Sequence, residues 1–144
     1  MIESDTIKLL RECDAGIKMG VKSIDDVLPY VKSSKMKEAL EECKRRHEHL
    51  GREVEAALDR FHDEGKEPNL MAEVMSWMKT SVKMSLDNSD ETIADLMTDG
   101  CNMGVKSLNR YLNEYKAADV FSKDITKRLI NLEEKLAVEI RKYL

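Results

Sequence analysis

The groups in this chain that could move protons, attack a carbonyl or hold a metal are its histidines, cysteines and carboxylates. There are three histidines, His47, His49 and His62, and three cysteines, Cys13, Cys43 and Cys101, in 144 residues. A pair of metal ions in a helical bundle takes a Glu from each of two helices and a Glu-x-x-His from each of two others. That spacing is needed because residues three apart share a helix face. Here the residue three before His47 is Lys44, three before His49 is Arg46, and three before His62 is Asp59. None gives Glu-x-x-His, and no histidine follows His62. A four-carboxylate, two-histidine centre therefore cannot be built in one chain. No metal or other cofactor is expected; Asp14, His47, Asp99 and Glu133 are the candidates for an irregular site with fewer ligands, for iron, manganese or zinc. Cys43 lies four residues before His47 on one helical face, but a buried thiol without a pocket is a poor nucleophile, and no catalytic residue is assigned. The cysteines have no metal-like spacing. They read as small apolar core residues in a reducing cytoplasm.

The elements that position these groups follow from a repeat. "MGVKS" occurs at Met19–Ser23 and again at Met103–Ser107, 84 positions on. Between residues 16–32 and 100–116, eight of 17 positions are identical. We read this as an internal duplication of a two-helix unit. In the first copy (about 4–64), Leu10, Cys13, Asp14, Ile17, Val21, Ile24, Leu28 and Val31 recur at steps of three and four, one face of a helix. Ser4–Thr6 supplies capping side chains, and Pro29 ends or kinks the helix. A short turn at Ser33 and Ser34 leads to a second face of Leu40, Cys43, His47, Leu50, Val54, Leu58 and Phe61, closed by Gly65 as the expected C-cap. The second copy (about 89–144) repeats this plan with Ile93, Met97, Cys101, Val105, Leu108, Leu112 and Tyr115. A turn at Asp119 follows, then Ile125, Leu129, Leu132, Leu136, Ile140 and Leu144.

Between the copies, Pro68 suits a first helical position, and Met71, Val74, Met75 and Met78 keep helical spacing. A crossover helix at about 68–86 is expected, packed on the core together with Trp77 and Met84. A hairpin, a lengthwise crossover and a second hairpin make a single all-α domain over 1–144, a ferritin-like four-helix bundle.

Within it, four glycines stand at matched positions: Gly16 and Gly20 in one copy, Gly100 and Gly104 in the other. Glycine inside a helix costs ~1 kcal/mol against alanine, so a close approach of helix backbones near a pseudo-twofold axis is expected there. Folding each hairpin about its turn sets Gly20 opposite His47 and Gly104 opposite Glu133. His47 and Glu133 are then a mid-bundle polar pair, one from each hairpin, because a buried His needs a hydrogen-bond partner.

Composition excludes several functions. Net charge is −4, from 24 basic and 28 acidic side chains, where nucleic-acid binding usually takes a basic face. No apolar run approaches the ~20 residues that span a bilayer, and the opening residues lack the pattern of a secretion signal. The expectation is a cytoplasmic protein that meets neither nucleic acid nor membrane. "KRRHEHLGRE" alternates in sign along a helix and reads as a solvated face. There is no glycine-rich phosphate loop.

The stretch "MAEVMSWMKTSVKMSLDNSDETIADLMTDGCNMGV" followed by "LNRYLNEYKAAD" resembles a group of small, uncharacterised bacterial proteins with a ferritin-like bundle. The resemblance runs over nearly the whole chain. "WMKTSVKM", "IADLMTDGCNMGV" and "LNEYKAAD" are its most specific parts. It implies the fold and a cytosolic setting, and it carries no catalytic residue onto this sequence. The wider ferritin-like group includes rubrerythrin-like iron oxidases and peroxidases, from whose Glu-x-x-His motifs this chain departs. The expected function is therefore non-enzymatic, through a protein partner or homo-oligomer. The alternative is a divalent-metal or diiron protein related to oxidative stress, and a third reading is a carrier of a small apolar ligand.

Overall fold

Each helix begins where a short polar side chain can accept from an otherwise unpaired N–H. The structure, a computed structural model, describes residues 4–65 and 88–144. The expected crossover helix at about 68–86 lies outside these residues, as do Met71, Met75, Trp77, Met78 and Met84. α1 (Asp5–Val27) is capped by Ser4, which accepts from the Ile7 amide, and α2 (Ser34–Arg60) by Ser33, which accepts from Met36. α3 (Asp90–Glu114) is capped by Ser89, accepting from Thr92, and α4 (Val120–Ile140) by Asp119, accepting from Ser122. α1 stops at Val27 and tightens into a 3₁₀ turn, Leu28–Tyr30, because Pro29 cannot continue the hydrogen-bond ladder. A second such turn, Arg141–Tyr143, follows α4. No strand occurs among the described residues.

The end of α2 differs from expectation. The C-cap is not Gly65, because the helix finishes at Arg60 and His62 takes the left-handed conformation, φ 56°. The Asp63 amide then donates to the Leu58 carbonyl and the His62 amide to Asp59, both at 3.0 Å, the closure that usually employs glycine. Gly65, at φ 85°, instead makes room for a side chain of α1, since a Cβ there would collide with the Asp14 carboxylate. Phe61, placed on the core face by its spacing, is 44% exposed, since α2 has already ended. Leu144 is likewise exposed, beyond the last 3₁₀ turn.

Helix directions follow from which residues meet. On α1 and α4, Thr6 meets Asp119, Cys13 meets Thr126, and Gly20 meets Glu133. Both series ascend, so these helices run parallel. α1 and α3 are antiparallel, with Asp5 near Ala117 and Lys32 near Asp90. α2 and α4 are antiparallel too, with His47 on Glu133 and Glu53 on Arg128. Taking α1 as up, α2 and α3 point down and α4 points up. Asp63 is held by Arg11 early in α1, whereas Asn88 accepts from Lys32 beyond its end. Residues 65 and 88 therefore lie toward opposite ends of the four-helix bundle.

The hairpins fasten each other. Asp90, first residue of α3, accepts from the Lys32 and Ser33 amides at 2.8 and 2.9 Å, in the α1–α2 turn. In return Asp5, first residue of α1, accepts from the Ala117 amide at 3.0 Å, and Thr6 accepts from Asp119 at 2.8 Å, in the α3–α4 turn. Burial of apolar surface, at roughly 25 cal/mol per Å², drives the rest, in two clusters. One gathers Ile24, Met36, Leu40, Ile93, Met97 and Leu136; the other gathers Leu10, Ile17, Leu50, Val54, Ile125 and Leu129. Between them lies a polar layer.

Candidate functional site

His47 sits on the apolar face of α2 between Cys43 and Leu50, and it is 1% exposed. A buried imidazole is costly unless both nitrogens are satisfied. Its Nδ1 lies 2.8 Å from the Cys43 carbonyl and 3.5 Å from the Cys43 sulfur. Its Nε2 lies 2.8 Å from Glu133 Oε1 on α4. Burial alone would lower the pKa of His47. The contacts with Cys43 and Glu133 outweigh it and raise the value from 6.5 to about 10. At neutral pH the ring is then an imidazolium that donates from both nitrogens, and the pair is an ion pair between the two hairpins.

Of the matched glycines, Gly20 makes room for a side chain rather than for a neighbouring backbone. A Cβ at Gly20 would stand 2.8 Å from both Cδ2 and Nε2 of His47, closer than carbon packs. At Gly104 the nearest atom is Glu133 Cδ at 3.6 Å, and at Gly16 it is Leu129 Cδ2 at 3.8 Å, both ordinary contacts. Gly16, Gly20, Gly100 and Gly104 line one cavity with His47 and Glu133, of about 50 Å³. That volume suits a few waters and falls well below the ~300 Å³ of a small-molecule site.

Of the four candidate ligands, the structure brings together His47 and Glu133 and leaves the other two apart. Asp14 is buried and pairs with Lys18 Nζ at 2.9 Å. It lies six residues from Gly20 along α1, a rise of ~9 Å. Asp99 is exposed on α3. Among the described residues, no three His, Cys, Asp or Glu side chains converge as a metal would need. The donor set therefore does not fit a pair of irons, whose ligands would come from all four helices.

Cys101, which helical spacing sets on the core face, is a further neighbour of this layer, though spacing does not show its nearness to Glu133. It is buried on α3, and burial, with the Glu133 carboxylate beside it, pushes its thiol up. Cys13, bonded to Thr126 at 3.2 Å, is pushed up by burial to about 12. Thiols so shifted are poor nucleophiles. His47 cannot serve as their base, because both of its nitrogens donate. The pair orients the two hairpins and holds a proton between them. No helix among the described residues is long and apolar enough to cross a membrane. In comparisons with family models, curated proteins and solved structures, nothing matches this chain.

Proposed function

We propose that this chain is a non-enzymatic, ferritin-like four-helix bundle made of two duplicated hairpins, which works in the cytoplasm by binding another protein or a second copy of itself. The observation that carries the reading is the closed His47–Glu133 pair: the buried ionisable groups at mid-bundle are spent on each other. The up-down-down-up helix directions, with one long connection, support the ferritin-like form. The reciprocal fastening of each helix start on the other hairpin's turn supports duplication. Phe61, Val120 and Phe121 stand exposed where α2 ends and α4 begins, with Val120 at 85%, and exposed apolar groups favour association. On this reading the bundle carries no metal.

Sedimentation velocity over a wide concentration range tests the reading, together with cross-linking in host-cell extract. A concentration-dependent dimer, or a discrete partner, that is lost in Val120→Asp is the expected result. A chain that stays monomeric and cross-links to nothing sinks it. So does near-stoichiometric iron, manganese or zinc after anaerobic reconstitution that disappears in His47→Ala.

A further inference from the structure

The charged run at residues 44–53 does more than face solvent. α2 and α4 pack antiparallel, and a groove of about 390 Å³ runs between them. Arg45, Arg46 and His49 line it from α2, and Arg128, Asn131 and Lys135 from α4. Leu50 and Leu132 also line it, and none of its lining residues is a carboxylate. Four permanent cations thus surround one space, on a chain whose net charge is −4.

Carboxylates stand on the flanks. Glu42 accepts from Arg46 Nε at 2.8 Å and also pairs with Arg45. Glu53 accepts from Arg128 Nη1 and Nη2 at 3.0 and 3.2 Å and lies 3.7 Å from His49. Asp124 Oδ2 lies 3.0 Å from Arg128 Nε, an ion pair without the alignment of a hydrogen bond, and Glu139 lies 3.7 Å from Lys135. These pairs leave donors over. Among the described residues, Arg46 Nη1 and Nη2, Arg45 Nη1, Lys135 Nζ and the Asn131 amide make no hydrogen bond. Exposed ion pairs are worth about 0–1 kcal/mol each, so an incoming anion competes with them on even terms. Guanidinium forks match the oxygens of a phosphoryl group in geometry as well as charge.

We propose that the α2–α4 groove is a binding site for a multivalent phosphate-type oxyanion, held by Arg45, Arg46, Arg128 and Lys135 with the Asn131 amide. The oxyanion belongs either to a free phosphorylated molecule or to a lipid headgroup. The site is independent of the protein-association reading above.

The test is a titration of the full chain with inorganic pyrophosphate, followed by amide nitrogen–proton spectra at low and at ~0.15 M salt. The expected result is a saturable shift confined to residues 45–50 and 128–135. Affinity falls at least ~tenfold in Arg45→Glu/Lys135→Glu, and also in Asn131→Asp, which adds a single carboxylate at an exposed position should the double variant fail to fold. Lys22→Glu/Lys106→Glu, with the same change of net charge on exposed positions elsewhere, keeps the affinity. Absence of saturation, shifts spread over all basic residues, or equal loss in the control pair overturns the proposal. Flotation with phosphatidylcholine vesicles that contain phosphatidic acid, whose headgroup is a phosphomonoester, separates the sources. Flotation that pyrophosphate competes away assigns the oxyanion to a headgroup, and its absence alongside saturable pyrophosphate binding assigns it to a free phosphate.

Discussion

Met19–Ser23 and Met103–Ser107 are the same five residues in two different settings. In the first copy Met19 is 5% exposed and Ser23 is buried; in the second Met103 is 39% exposed and Ser107 half-buried. Gly20 faces an imidazole that a Cβ would strike at 2.8 Å, while Gly104 faces Glu133 at an ordinary 3.6 Å. Gly20 is constrained by what it faces, and Gly104 is not. In the first copy the glycine admits a rigid, doubly bonded ring; in the second it lies beside a flexible carboxylate arm. An identical string reports an equivalent place in the fold without reporting what that place must accommodate.

The largest expected effect separates the two glycines. Gly20→Ala displaces the His47 ring, breaks the pair with Glu133, and lowers stability by about 3 kcal/mol in urea unfolding. Gly104→Ala changes stability by less than ~1 kcal/mol, in the stabilising direction, because alanine favours the helix. Equal losses at both sites would break the comparison.

Proton linkage sharpens it. His47 is raised in the folded chain to about 10 from 6.5, so the folded state binds the proton more tightly than the unfolded one. The stabilisation is complete below about pH 6.5 and is lost as pH rises toward 10, at no more than about 1.4 kcal/mol per pH unit. Glu133→Gln flattens that slope in unfolding curves taken across the window, relative to the parent chain.

The methionines give a smaller contrast. Met19→Ala costs about 2 kcal/mol by opening the core, whereas Met103→Ala costs less than ~0.5 kcal/mol at its exposed position, both read from thermal unfolding. A gain is expected where the first hairpin ends. His62→Gly raises stability by about 1 kcal/mol, since a left-handed L-residue carries roughly that strain. A loss on this substitution would mean that the His62 side chain supports the turn.

Much of the fold was legible because its signals are local. Ser4 caps α1 through its own side chain, Pro29 ends it by its own ring, and Ser33 and Asp119 stand in the two turns that the spacing places. The register that sets His47 opposite Glu133 follows from two turns, near Ser33 and near Ala118. What stayed hidden depends on contacts across the fold. Gly65 looked like a C-cap, but its real neighbour is Asp14, 51 residues away. Asp14 looked like a ligand because it is acidic on an apolar face, yet Lys18 one turn on already holds it. The run at residues 44–53 is a solvated face as its alternating signs suggest, with Arg45, Arg46, Glu48, His49 and Arg52 exposed, but only the α2–α4 register shows that Arg128 and Lys135 stand beside it.

The fastenings at Asp5, Thr6 and Asp90 have a consequence for connectivity. Each joins the start of one hairpin to the turn of the other, and His47 joins Glu133 across the hairpins at the middle. None of them uses the covalent link between residues 65 and 88. Two separate polypeptides, one ending at residue 65 and one beginning at residue 88, would still carry all of these fastenings. Nothing in them requires that the two halves be one molecule, and a hairpin of one chain offers the same grips to the opposite hairpin of another, an open route to exchange of halves between copies.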